Sequence, residues 1–250
     1  MRDAILTRVA DQQAAGVIAA LVTGDQNAID RADWDVFRAT GVAHLMAISG
    51  LHITMFAWLA TWGVAVLWRR SARLMLWWPA PHAGLAGGVL LATAYAVFSG
   101  WGVPSRRTVW MLAVVGFLRL AGRRWPWPFV WLAACAVVVM LDPWALMQAG
   151  FWLSFVAVAV LFAAGSTTGA GPSGIAGRLA RMAREQSAVT LGLTPLTLLL
   201  FQQVSLVGLP ANAVAIPWVT LVVTPLAMLG IAIPPLWDVA AWAVQGLSMG

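Results

Sequence analysis

Uncharged apolar stretches alternate with short basic clusters along this chain, and the alternation predicts helices. Val42 to Trp68 contains no Lys, Arg, Asp or Glu and exceeds the roughly 20 residues that cross a hydrocarbon layer. Arg69, Arg70 and Arg73 close it, and Leu74 to Ser105 follows as a second such stretch. Beyond Arg106 and Arg107 only Thr108 to Leu118 is free of charge before Arg119, which predicts a tilted or broken segment, because arginines must snorkel from so short a run. Arg123 and Arg124 precede a fourth segment, Trp125 to Leu141, and Asp142-Pro143 separates it from a fifth that starts near Trp144 and reaches Ala164. Residues 165–177, GSTTGAGPSGIAG, read as a flexible linker. Arg178, Arg181 and Arg184 then form a basic stripe. The uncharged run from Gln186 to Trp237 holds at least two more segments, divided around Leu209-Pro210. Residues 1–41 are mixed and acidic, and Ile5, Val9, Val17, Ile18 and Leu21 recur at near-helical spacing, predicting an amphipathic helix at the membrane surface.

The expected fold is therefore all-α: a polytopic transmembrane bundle of about six to eight segments, some broken or re-entrant, behind an N-terminal amphipathic helix. Composition agrees, since 61% of the 250 residues are hydrophobic and 10% charged, too few charges to cover a water-soluble surface. The net charge of +6 is mostly explained by arginines in the loops. The basic loops 69–73, 119–124 and 178–184 belong on the cytoplasmic side of the membrane, which puts residues 1–41 outside. Arg106 and Arg107 break that rule, falling on the outer side beside a loop, Ser99 to Ser105, that carries two glycines and a proline. Cys135 is the single cysteine, so there is no disulfide framework. No secretory leader pattern opens the chain, and an interior piece of a longer protein is expected.

Polar groups inside apolar segments are the candidate chemistry, because in hydrocarbon they face a bundle interior or a wet path. Ser49-Gly50 predicts a helix break or a tight helix crossing. His44 and His52 lie about 80° apart around an ideal helix, so they share a side only if that helix stays regular. His44, Ser49 and His52 either line a channel or hold helices together. Arg106 and Arg107 suit phosphate oxygens, or else snorkel. Asp142 before Pro143 reads as a helix N-cap. Gln148, Ser154, Gln202, Gln203 and Asn212 could line a pore or bond between helices. Most tryptophans, among them Trp77, Trp144 and Trp237, read as interfacial belts, and Trp101, sharing the outer loop with the arginine pair, is the one candidate for stacking on bases. No metal or cofactor is expected, since His44, His52 and His82 are the only histidines and their spacing is not that of a ligand set.

The segment GVAHLMAISGLHITMF, Gly41 to Phe56, resembles the HLLAISGLH signature of the ComEC-type DNA internalisation family. FSGWGVPSRRTVWM at 98–111, LDPWALMQAGFWLSF at 141–155 and LPANAVAIPWVTLVVTPLAML at 209–229 resemble, in order, three further segments of that family. The resemblance implies that 42–250 is the family's membrane channel region, passing a single DNA strand inward, with Arg106, Arg107, Trp101, His44, Ser49, Gly50, His52, Gln148, Ser154 and Asn212 along or near the path. It also implies partners: single-stranded DNA, the lipid bilayer, a cytoplasmic DNA-translocating motor and an outer DNA receptor. Full-length members add an OB-like domain before this region and a metallo-β-lactamase-like nuclease domain after it, so no enzymatic activity is expected of this stretch. Two other classes compete with the channel: an intramembrane hydrolase with Ser49 as nucleophile and a histidine as base, and a secondary transporter of a small anion. Ser49 Oγ bonded to an imidazole nitrogen would favour the first. Inverted repeats would favour the second.

Overall fold

The computed structural model describes residues 1–123, 125–166, 174–202 and 208–248, and every regular element among them is helical. The expected linker at 165–177 falls largely on residues 167–173, outside those described, as does Gln203.

Residues 1–41 form three helices instead of one: α1 Arg2–Arg8, α2 Gln12–Thr23 and α3 Arg31–Ala39. Of these α2 departs furthest from the surface helix expected, because Ala14 to Val22 are all buried, the side chains of Ala14, Ala15 and Val17 to Val22 at 1% exposure or less. A helix apolar on every side belongs in a core. Its small side chains let neighbours approach: a Cβ on Gly16 would strike the carbonyl of Ala28. Asp11 caps α2 at its start, accepting from Gln13 N–H at 3.0 Å, and Gly24 ends it in the left-handed region at φ 79°. The charges of this region lie instead on α1, on α3 and at the cap positions Asp11, Asp25 and Asp30, and α3 carries the amphipathic pattern. Around α2 pack α1 and the last helices of the chain, so the packing boundary is not at 41/42.

The helix after the GVAHLMAISG segment, α4 Gly50–Arg69, runs antiparallel to α6 Ala80–Phe98, joined by the short α5 Ala72–Trp77. Their contact is the most extensive in the chain. It depends on Gly84, Gly87 and Gly88 of α6, a small-residue stripe that the sequence reading passed over: a Cβ on Gly84 would lie 2.7 Å from the Thr61 carbonyl, and one on Gly88 would strike Thr61 Oγ1 and lie 2.9 Å from the Ala57 carbonyl. Trp68 ties the turn, its indole N–H shared between the carbonyls of Leu74 at 3.0 Å and Trp78 at 2.9 Å.

Next come α7 Val103–Leu120, α8 Trp127–Leu141, α9 Ala149–Ser166 and α10 Ile175–Phe201, each packed on its predecessor. The third segment is thus continuous from Val103, not broken. Finally α11 Gly208–Trp218, a π-helical turn at Val219–Val223 and α12 Thr224–Leu229 follow without interruption, and α13 Leu236–Ser248 returns against α2. The wide turn falls between Pro217 and Pro225, where missing N–H groups already break the regular bonding. Trp237, expected in an interfacial belt, is 4% exposed and donates to the Ala227 carbonyl at 3.0 Å.

Among the described residues, Ala43–Arg69 and Ala80–Phe98 have the length and composition to cross a membrane. The other apolar helices are shorter; α8, with 15 residues, is about 22 Å long against a hydrocarbon core of about 30 Å.

Candidate functional site

Six of the residues singled out in the sequence, Ser49, Gly50, His52, Arg106, Arg107 and Asp142, lie where the N-terminal ends of α4, α7 and α9 reach one level of the bundle, beside the C-terminal ends of α6 and α8. Each end has a local cause. Helix α4 starts at Gly50 because Ser49 turns extended, at φ −96° and ψ 164°, and forms a reciprocal cap with His52. Ser49 Oγ accepts from His52 N–H at 3.4 Å, and the Ser49 N–H donates to His52 Nδ1 at 3.3 Å. Gly50 also makes the tight crossing, since a Cβ there would sit 2.5 Å from Thr108 Oγ1 of α7. Break and crossing are the two outcomes expected at Ser49-Gly50, and both occur.

That cap uses the serine hydroxyl as a backbone acceptor and the imidazole as an acceptor from backbone. The arrangement is not one of nucleophile and base. Replacing Ser49 with alanine should cost about 1 kcal/mol, as loss of a cap does, and leave function in proportion to the folded protein. Thermal unfolding in detergent checks this; a full loss of function at normal protein level and stability would restore the nucleophile. Because Nδ1 accepts, the ring proton is on Nε2, and that nitrogen is buried with no hydrogen-bond partner among the described residues. His44 lies outside α4 and takes no part in this cap: the chain around it is a 3₁₀ turn, its side chain is exposed, and Nδ1 lies 3.1 Å from the Gly41 carbonyl.

Helix α6 ends in a Schellman turn, with Gly100 N–H on the Val97 carbonyl at 3.1 Å and Trp101 N–H on the Ala96 carbonyl at 2.8 Å. Gly100 at φ 88° and Trp101 at φ 51° reverse the chain, and the Trp101 ring packs against the cluster of Ile48, Tyr95, Ala96 and Val109. The loop is thereby shortened to Ser99–Gly102, and both arginines belong to the first turns of α7.

They differ sharply. Arg106 is a third exposed and donates to Asp142 Oδ2 at 2.5 Å. Asp142 was expected as a cap, but its side chain makes no capping bond; it precedes a 3₁₀ turn, Pro143–Met147, and faces α7. Arg107 is 5% exposed, and its Nε and Nη1 have no hydrogen-bond partner among the described residues. Its guanidinium lies over Gly150, where a Cβ would come within 2.8 Å of Nη2. Cations are unfavourable near helix N-termini, and Arg107 is near two of them, α7 and α9, and next to Arg106. One carboxylate, held by Arg106, does not balance this group. The site is short of an acceptor and short of negative charge.

Gln148 and Ser154 flank Gly150, with Ser154 one turn on along the same side of α9. Asn212 is remote from them in sequence and packing: it lies in α11, next to Ala211, which packs on the α2 cluster, and its Oδ1 is buried without a partner among the described residues. Among the described residues no three His, Cys, Asp or Glu side chains converge as a metal set.

A family model described as Competence protein matches residues 21–250. The chain is 39% identical over 242 residues to the competence protein ComA of Neisseria gonorrhoeae, covering 92% of this chain and 32% of that protein. It is 34% identical to the uncharacterized protein YcaI of Escherichia coli, covering 85% of this chain and 28% of that protein. It is 29% identical to recombination protein 2 of Haemophilus influenzae, covering 86% and 28%. The chain thus spans about a third of the length of the curated relatives it matches. No solved structure matches.

Proposed function

The chain belongs to the competence protein family, and from that premise we propose that it forms the inner-membrane path by which single-stranded DNA enters during natural transformation. What carries the reading is Arg107: a buried guanidinium with two nitrogens unbonded, near two helix N-termini and next to a second arginine. A phosphodiester supplies what this place lacks, oxygen acceptors and one negative charge per nucleotide. Arginine keeps its charge under burial and offers two parallel donors to two phosphate oxygens, so a strand can be handed on without reading its bases. The ion pair of Arg106 with Asp142 keeps one cation compensated while the path is empty, and a phosphate competes with the carboxylate for it.

In this reading α4 and α6 cross the membrane, the shorter helices complete a bundle of six to eight segments, and the arginine pair is on the outer side. The lipid bilayer, a cytoplasmic motor and an outer DNA receptor are its partners, and the OB-like and nuclease-like domains of longer family members flank it. Replacing Arg106 and Arg107 together with alanine in the native host should lower transformation at least on the order of a hundredfold, a loss of about 3 kcal/mol or more in strand contact. Labelled DNA should then remain outside, sensitive to added nuclease, with the protein still in the membrane. Unchanged transformation at unchanged protein level would overturn the reading.

A further inference from the structure

At the opposite end of α7 the structure carries a second basic feature with different surroundings. Helix α7 closes in a Schellman turn: Gly122, at φ 69°, donates to the Arg119 carbonyl at 3.1 Å, and Arg123 donates to the Leu118 carbonyl at 2.9 Å. That turn fixes Arg119 and Arg123 at the mouth of a cavity of about 370 Å³ between α7, α8 and α9. Below the arginines the wall is apolar, built from Met111, Val130, Phe155 and Phe162, with Trp125 and Trp127 at the rim. Arg119 also borders a second cavity, of about 420 Å³, whose rim carries Arg69 and His82 and whose wall includes Trp58 and Trp62. Arg69, Arg119 and Arg123 have no ion-pair partner among the described residues.

The level of this end relative to a membrane follows from α5. Its Leu76 and Trp77 are 88% and 81% exposed, beside Arg69, Arg70 and Arg73. A short helix that exposes apolar side chains next to arginines is suited to the boundary between headgroups and acyl chains. Cations at that depth, each beside an apolar groove lined by tryptophan, match a molecule with an anionic head and a hydrocarbon tail.

We infer that the C-terminal end of α7 is a binding site for an anionic glycerophospholipid, its phosphate between Arg119 and Arg123 and an acyl chain along Met111, Val130 and Phe162. The inference does not depend on what the opposite end of α7 conducts. It requires only that this end meet a bilayer.

The test uses the whole chain, purified in a mild detergent and exchanged into nanodiscs of phosphatidylcholine containing one part in five phosphatidylglycerol, with bound lipid read by native mass spectrometry after release. Phosphatidylglycerol should be retained over phosphatidylcholine, and Arg119→Gln with Arg123→Gln should reduce that preference by about thirtyfold, the product expected of two surface arginines. Filling the groove with Val130→Trp should lower retention while both arginines remain, which keeps the test decisive if the double variant misfolds. Glycerol 3-phosphate should not displace the lipid. Equal retention of both lipids, a preference that survives both variants, or displacement by the soluble headgroup would overturn the proposal.

Discussion

Exchange of Arg107 for methionine should leave the chain as stable as before or more so, while transformation falls on the order of a hundredfold, the equivalent of about 3 kcal/mol in a buried charge-assisted contact. The two halves of that expectation share one cause. Arg107 is 5% exposed and leaves Nε and Nη1 unbonded. A buried charge without its full set of partners destabilises a fold, and an apolar side chain of similar volume is neutral or stabilising by about 1–4 kcal/mol. Methionine fills the space over Gly150 with no donors to desolvate. Thermal unfolding in detergent, read beside transformation in the native host, separates the outcomes: a large drop in stability would make Arg107 a structural residue, and normal transformation would remove it from the strand's path.

The largest effect on folding is expected at Gly88. A leucine there must displace Thr61 Oγ1 and the Ala57 carbonyl, and the carbonyl cannot rotate away as a side-chain tip can. Overpacking of this kind costs about 1–3 kcal/mol where neighbours yield, and more where backbone is struck. The α4–α6 hairpin should then separate, and the chain should be lost from the membrane fraction. Gly150→Ala is the instructive contrast, since there the atoms met belong to the flexible end of Arg107 and the fold can absorb the methyl group. Normal amounts of a Gly88→Leu protein, unfolding at the wild-type temperature, would show that the crossing is looser than described.

What sequence alone made legible was local. Ser49-Gly50 announced both the start of α4 and its close crossing, because a capping hydroxyl and a missing side chain act on their immediate surroundings. The arginine pair stood out as an exception to loop charge. Three features were hidden, each depending on a distant partner or on averaging. Asp142 reads as a cap from its own neighbours, and only the fold brings it to Arg106, 36 positions away. Helix α2 was masked because the charges on either side of it make residues 1–41 polar as a whole, although Ala14 to Val22 contain none. Gly84, Gly87 and Gly88 carry their meaning in the chain opposite them. Within the candidate site the sequence located both arginines and could not rank them, since compensation by a carboxylate distinguishes Arg106 from Arg107 and is tertiary.

Helix α2 also sets a schedule for biogenesis. The side chains that enclose it include Ala215, Val219, Val223, Ala227 and Ala240, which leave the ribosome long after Leu21. At about 5–20 residues per second, the nearly 190 positions between Thr23 and Asn212 amount to about 10–40 seconds of translation. Throughout that interval a twelve-residue apolar rod is covered only by its sequence neighbours, lacks the side that the last helices supply and is too short to rest across a bilayer. The nascent chain must shelter it, against insertase, lipid surface or chaperone, until the last helices emerge and close over it.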